Sequence, residues 1–249
     1  MNFLKNIFGR IWAVWALLLF SFTLLFVVIP IWLSGFIQDP RGTEIFRRVS
    51  RLWMNIFLTG IGCPLKVKGK ENFKKGETYI VVCNHKSLMD VPISTPYIPG
   101  PNKTIAKKEF AKVPLFGLIY KRGSVLVDRN SDESRRKSFE DMKAVLQQGV
   151  HMCIYPEGTR NKTGNPLKSF YDGAFKLASA TGTAIVPALI FNTEKVLPNN
   201  KKFFVWPHRL SIHFLPPIPV TRNQDAASLR EQVFKVMWDY YEEHKNGSR

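Results

Sequence analysis

Cysteine is scarce. The 249-residue sequence holds three, Cys63, Cys83 and Cys153, an odd number without the close pairs of a zinc site or a complete disulfide framework. The pattern predicts reduced, mostly buried thiols in a chain facing the cytoplasm. Acidic residues are also few: 19 Asp and Glu stand against 36 Lys and Arg, a net charge of +17. That imbalance implies an anionic partner, which charge alone leaves open between nucleic acid, an acidic lipid surface and phosphorylated small molecules. No Gly-x-Ser-x-Gly occurs, so the nucleophile elbow of many serine hydrolases is missing. Internal repeats, low-complexity tracts and long flexible linkers are absent as well.

Charge disappears altogether from Ile11 to Ile37, "IWAVWALLLFSFTLLFVVIPIWLSGFI". At about 1.5 Å per residue such a helix is long enough to cross the ~30 Å hydrocarbon layer of a bilayer. A cleaved signal peptide is the competing reading, but its apolar core would be about 7–15 residues with a small-residue cleavage site. Pro30 is expected to kink or end the helix, leaving a main segment of roughly 19 residues. Basic residues flank both sides, Lys5 and Arg10 before, Arg41, Arg47, Arg48 and Arg51 after. The positive-inside rule therefore gives no orientation, and a hairpin dipping into one leaflet fits the symmetry.

The next segment, 42–59, has apolar residues at helical spacing: Ile45, Val49, Leu52 and Ile56, joined by Phe46, Trp53 and Phe57. Arg47, Arg48 and Arg51 fall opposite, which suits a helix at an anionic membrane surface, where each Arg or Lys contributes roughly 1 kcal/mol. A core helix of the following domain is the alternative. The expected organisation is a membrane anchor over 1–60, with the apolar helix 11–37 and the amphipathic helix 42–59, then one domain over 61–249.

After Gly60 short β-rich runs alternate with helical ones. "LKVKG", "TYIVVC", "GSVLVDR", "VHMCIYP", "AIVPALIF" and "LSIHFLPPI" read as strands. Between and after them, 131–149, 169–182 and 225–244 read as amphipathic helices, the first capped by Ser131 or Asp132 and stopped by Gly149. Such alternation predicts an α/β layered domain.

The run Cys83-Asn-His-Lys-Ser-Leu-Met-Asp90 puts His85 and Asp90 directly after a strand, where side chains face a crevice in α/β folds. In a continuous helix the two would point ~140° apart. They meet only if His85 precedes the helix and the chain folds back. Asp90 would then fix the imidazole tautomer, leaving the other nitrogen to take a proton from a substrate hydroxyl. The bland alternative is a capping box, Ser87-x-x-Asp90, or Asp90 as N-cap ahead of Val91-Pro92. A second stretch, Glu157-Gly158-Thr159-Arg160, sets a carboxylate and a guanidinium around a glycine, and Arg160 suits bidentate phosphate binding. Its alternative is a surface turn with a weak ion pair.

Asn84-His85-x4-Asp90, Ala106-Lys107-Lys108-Glu109-Phe110 with Val113 to Gly117, Gly123 to Arg129, Glu157-Gly158-Thr159-Arg160 and Val186-Pro187 follow one another in an order that resembles the blocks of the glycerolipid acyltransferase family. The likeness is nearest to bacterial 1-acylglycerol-3-phosphate acyltransferases and covers about residues 62–220. It implies an α/β fold with a mixed sheet flanked by helices and an N-terminal membrane-embedded helical pair. By resemblance, His85 is the general base on the 2-hydroxyl of 1-acylglycerol 3-phosphate and Asp90 its orienting partner. Lys107, the block ending at Arg129, and Glu157, Gly158, Thr159 and Arg160 line the phosphate site, and Val186-Pro187 helps shape the acyl-donor side. The product would be phosphatidic acid. The donor would be acyl-CoA or acyl-carrier protein, a co-substrate; no cofactor and no metal are implied. The expected location is the inner (cytoplasmic) membrane, with the domain facing the cytoplasm. The sequence departs from the family in "SFYDGAF", where Tyr171-Asp172 precede Gly173 in place of a basic residue; Lys168 or Lys176 are the substitutes at hand.

Other readings are weaker. Ser87 or Cys83 as a nucleophile lies too close in sequence to His85 for good geometry, and a metal site from His85, Asp90, His151 and Cys153 competes with simple packing of the last two. A non-catalytic lipid-binding protein fits the anchor and charge. Nucleic-acid binding has no supporting motif.

Overall fold

The computed structural model describes residues 3–128 and 130–245. Two helices come first, α1 (Phe3–Leu33) and α2 (Arg41–Gly60), packed on each other as a hairpin. The chain then forms β1 (Leu65–Lys68), β2 (Ile80–Cys83), α3 (Asp90–Ser94), β3 (Asn102–Lys107), α4 (Phe116–Arg122), β4 (Ser124–Val127) and α5 (Asp132–Gln147). It continues with β5 (His151–Ile154), α6 (Gly173–Thr181), β6 (Ile185–Phe191), α7 (Thr193–Val196), β7 (Leu210–Phe214) and α8 (Ala226–His244).

The seven strands form one mixed sheet in the order β1-β7-β6-β2-β5-β3-β4. Five neighbouring strands, β6, β2, β5, β3 and β4, run parallel; β7 meets β6 antiparallel, and β1 pairs parallel with β7. Pro187 sits inside β6, where a missing N–H would break a ladder. The β7 register ends at Ala188 and Phe214, Leu215 N–H donates to the Pro187 carbonyl, and pairing resumes as a single bridge between Ile185 and Ile218. The proline thus lies at an interruption of the ladder.

Alternation along the strands sorts two cores. Ile80 and Val82 face α5, α6 and α8, whereas Val81 and Cys83 face the α1–α2 side with Phe46, Trp53 and Phe57. Caps end the helices as their residues dictate: Ser131 accepts from Ser134 N–H at 3.1 Å and Asp225 from Ser228 N–H at 2.8 Å. Gly182, at φ 69°, closes α6 in the left-handed conformation that glycine adopts without strain.

The hairpin departs from expectation in three respects. Helix α1 begins eight residues earlier than Ile11, and Pro30 does not end it: proline removes one N–H within the last turn, and the helix continues to Leu33 before a 3-10 turn over Ser34–Phe36. Second, the apolar arc of α2 is divided. Phe46, Trp53 and Phe57 are buried, while Ile45, Leu52 and Ile56 are exposed. Third, Arg47 points inward. It is buried, paired with Glu44 and directed at the Pro96 carbonyl, so the α2 surface is less basic than the helical wheel predicts. Trp12 and Trp15 on α1 donate to the carbonyls of Ile61 and Gly60, groups that the end of α2 leaves without helical partners. At the hairpin's turn Asp39 binds Arg122 and Lys103; burial pushes its carboxyl up, but these bonds and one from Thr43 outweigh it and hold the group well below the usual carboxylate range.

Along its outer side α1 shows an unbroken exposed apolar stripe at three- and four-residue spacing, from Leu4, Ile7, Ile11 and Val14 through Leu18, Phe22, Leu25, Ile29 and Trp32. It is the one helix among the described residues that is long and apolar enough to cross a membrane.

Candidate active site

The parallel strands β2, β5, β3, β4 and β6 all end at one edge of the sheet, where side chains from successive strands converge. The sequence stretches that carry chemistry sit on that edge: His85 after β2, Lys107 at the end of β3, Glu157 to Arg160 after β5.

His85 and Asp90 meet. The chain leaves β2, turns back at Ser87, and α3 starts at Asp90, so that His85 Nδ1 lies 2.8 Å from Asp90 Oδ2. The same oxygen accepts Lys86 N–H at 2.6 Å and Ser87 N–H at 2.7 Å, and Oδ1 accepts the Thr193 hydroxyl at 2.6 Å. Asp90 is fully buried, with four donors around it. An oxygen already accepting two amide hydrogens is an acceptor towards the ring as well, so Nδ1 carries the hydrogen and Nε2 offers its lone pair. Nε2 has no hydrogen-bond partner among the described residues. The capping reading is half present: Asp90 reaches back to Ser87 N–H, while Ser87 Oγ donates to the Leu197 carbonyl and accepts from Met89 N–H. Turn and dyad are one structure.

The backbone of His85 is held from both sides by the loop after β5. Its N–H donates to Glu157 Oε1 at 2.7 Å and its carbonyl accepts Asn161 N–H at 2.6 Å. Asn84 is buried and uses its amide to bond both the N–H and the carbonyl of Ile190 in β6, replacing strand pairing where β2 ends. The Tyr155 ring lies against the imidazole, with centroids 4.6 Å apart. Its hydroxyl bonds Ser94, and burial raises its pKa well above the ordinary phenol value.

The Acyltransferase family model matches residues 64–191, from the start of β1 to the end of β6. The chain belongs to the acyltransferase family. A coconut (Cocos nucifera) 1-acyl-sn-glycerol-3-phosphate acyltransferase is 33% identical over 160 residues, 64% of this chain and 51% of that protein. A protein of the same name from Borreliella burgdorferi is 29% identical over 196 residues, 75% of this chain and 77% of its own length. The crystal structure of the 1-acyl-sn-glycerophosphate acyltransferase PlsC from Thermotoga maritima superposes with a TM-score of 0.79 over 98% of both chains at 22% identity, a likeness of fold. The chain spans between 51% and 66% of the length of several curated relatives it matches.

The residues expected at the phosphate site fall into two groups. Arg160, Lys107 and Lys168 present cations at the strand-end edge: Arg160 Nη1 bonds Asn199 Oδ1 at 2.9 Å, Lys107 is exposed, and Lys168 Nζ bonds Thr159 Oγ1 at 3.1 Å. Asn199 also donates to the Lys86 carbonyl, tying Arg160 to the His85 turn. Glu157 differs. It is fully buried, with Oε1 on His85 N–H and Oε2 on Lys168 N–H at 2.9 Å, so it positions two loops and turns no oxygen outward. Gly158 adopts φ 68°, and a Cβ there would lie 2.7 Å from the Tyr171 ring. Arg129 lies outside the described residues. Of the two candidate substitutes for the missing basic residue, Lys168 bonds Thr159, whereas Lys176 pairs with Asp172, which also binds Arg230. Val186 and Pro187 lie buried within β6.

Among the described residues no group of three or more His, Cys, Asp and Glu is arranged to hold a metal ion. His151 takes the Tyr79 amide hydrogen on Nδ1 and faces the Pro99 carbonyl with Nε2; burial lowers its pKa to about 4, which keeps it neutral. The three cysteines are buried and free. Sequence reasoning passed over Thr193, Asn161 and Asn199. Thr193 had a findable signal, a hydroxyl directly after a strand that ends at the same edge; the two asparagines are ordinary loop residues until folded.

Burial, only partly offset by the two amide hydrogens, raises the Glu157 pKa to about 7 from an ordinary 4.5. The folded state therefore binds more protons than the unfolded one between those values, and stability falls as pH rises from about 4.5 to 7. Glu157→Gln removes this titration. Denaturant unfolding at a series of pH values is expected to show a flatter dependence for the variant across that window, and an unchanged slope would contradict the assignment.

Proposed function

We propose that this chain transfers an acyl group from an acyl thioester to the 2-hydroxyl of 1-acylglycerol 3-phosphate, giving phosphatidic acid. The observation that carries the reading is the His85–Asp90 pair, its Nδ1 fixed and its Nε2 open at the edge where the cations gather. A thioester is already activated, so what an alcohol needs is a base. His85 Nε2 takes the hydroxyl proton as the oxygen attacks the carbonyl carbon; a C–O bond forms, the C–S bond breaks, and the departing thiolate takes the proton from the imidazolium. Asp90 stabilises that imidazolium at 2.8 Å.

The names of the relatives support lysophosphatidate as acceptor, and Arg160, Lys168 and Lys107 supply the charge a phosphate monoester needs. Acyl-CoA and acyl-carrier protein both satisfy the donor chemistry. Membrane association rests on the hairpin. Helix α1, about 46 Å long, packs on the domain near both ends, Phe8 against Trp206 and Ser34 beside Arg122. The two contacts lie about 39 Å apart along the helix, so a crossing would put one folded domain on both sides of the ~30 Å hydrocarbon layer with the parts between them inside it; the helix is therefore expected to lie along one leaflet with its apolar stripe in lipid.

The test is acyl transfer by membranes containing the full chain, with a panel of lysolipids against both thioester carriers. Lysophosphatidate is expected to be acylated far faster than uncharged or amino lysolipids. Preference for another lysolipid would overturn the acceptor, and no transfer with any pair would leave a lipid-binding protein. Arg160→Ala is expected to raise the KM for the acceptor by about 10- to 100-fold, the worth of a charged hydrogen bond, and to change the donor KM little. An equal effect on both would count against the phosphate role.

A further inference from the structure

The exposed N-terminal end of α1 meets the segment after α7 around a concave space of about 400 Å3. Lys5, Lys195, Lys201, Phe204, Trp206 and His208 line it, with Glu194 as the single carboxylate. Two ammonium groups lie over aromatic faces: Lys5 Nζ is 4.5 Å from the Trp206 ring centroid, and Lys201 Nζ is 4.4 Å from that of Phe204. The wall is firmly built. Gly9 lets α1 approach Phe204 so closely that a Cβ would lie 2.1 Å from its ring, Val205 N–H donates to the Gly9 carbonyl, and Phe8 packs edge-on against Trp206. Beside this space Phe203, next to Phe204, is exposed, and Leu4 and Ile7 begin the exposed apolar stripe along the outer side of the same helix.

A soluble anion would be served by the ammonium groups alone and has no use for an exposed apolar margin. An anionic lipid uses both. Its phosphate meets the lysines, its glycerol and upper chains meet Phe204, Trp206 and Phe203, and amphipathic aromatic and lysine side chains suit the headgroup level. We propose that this space between the N-terminal end of α1 and residues 194–208 is a binding site for the headgroup of an anionic phospholipid of the surrounding leaflet, apart from the acyl-transfer site. The assignment rests on the reading of α1 as embedded in lipid.

Full-length protein diluted from detergent into equal amounts of phosphatidylcholine vesicles and phosphatidylcholine–phosphatidylglycerol vesicles, separable by density, tests it. The natural chain is expected to favour the anionic vesicles. Lys5→Ala with Lys195→Ala, both exposed positions, is expected to cut that preference about thirtyfold at the usual gain per lysine, and the double Lys→Arg variant to keep it. Lys74→Ala with Lys75→Ala, the same charge change before β2, is the control for net charge. A retained preference in the Lys5/Lys195 variant, or an equal loss in the control, overturns the site. Loss of the natural chain's preference on adding millimolar glycerol 3-phosphate or CoA overturns the lipid in favour of a soluble phosphate. A chain that joins neither vesicle overturns the embedded helix itself, a different outcome from one that joins both equally, which overturns only the headgroup site.

Discussion

His85→Ala is expected to lower kcat for acyl transfer by about 10²–10⁴, the usual contribution of a positioned general base, with little change in the KM for either substrate. The basis is geometric. The imidazole makes one side-chain hydrogen bond, to Asp90, and its other nitrogen has no hydrogen-bond partner among the described residues. Its removal should therefore spare the fold: the side chain is 18% exposed, and the bonds that hold the turn run through the His85 backbone, to Glu157 and Asn161, which alanine keeps. Residual activity is expected from bringing thioester and hydroxyl together. Purified variant with a normal unfolding transition and near-normal kcat would show that His85 is not the base.

Much of this was legible in the sequence, for particular reasons. Six strands announce themselves as β-branched or apolar runs, and Ser131, Gly182 and Asp225 mark helix ends with residues that have few other uses. Strand β3 did not announce itself. Its buried positions are Asn102, Thr104 and Ala106, so its inward face is small and polar, and Asn102 spends its amide on the Thr95 and Gly100 carbonyls. Alternation of burial was present without alternation of hydropathy. The hairpin was visible by charge alone, but which side of α2 meets protein was not. A wheel sorts apolar from basic, whereas the fold buries Arg47, paired with the half-buried Glu44, and leaves Leu52 outside. A helix with a single apolar side shows which side it hides; α2 carries apolar residues on a buried side and on an exposed one.

The site shows the same limit. That His85 and Asp90 could meet follows from spacing plus a strand end, because only a turn brings positions five apart together; the roles expected of them come from the family resemblance. Glu157 looked like part of an anion site since it neighbours Arg160, yet burial and two backbone donors make it an internal brace. A motif preserves which residues are needed, and the fold decides which of them face the ligand.

Asp90→Asn separates the orienting role from mere architecture. Placing the amide oxygen where Oδ2 now lies keeps the Lys86 and Ser87 amide bonds, and the amide nitrogen then meets the Thr193 hydroxyl, which can accept. The turn survives; the charge does not. What is lost is the charge-assisted bond to the imidazolium that forms as His85 takes the proton, worth about 1.5–3 kcal/mol, so kcat is expected to fall roughly 10- to 100-fold. The unfolding midpoint should move far less than in Asp90→Ala, which strands buried donors at about 1–3 kcal/mol each and draws on a total stability of only about 5–15 kcal/mol. If Asp90→Asn keeps full kcat while Asp90→Ala unfolds, Asp90 is a brace for the turn and nothing more. If Asp90→Asn loses activity with its stability intact, the carboxylate acts through His85.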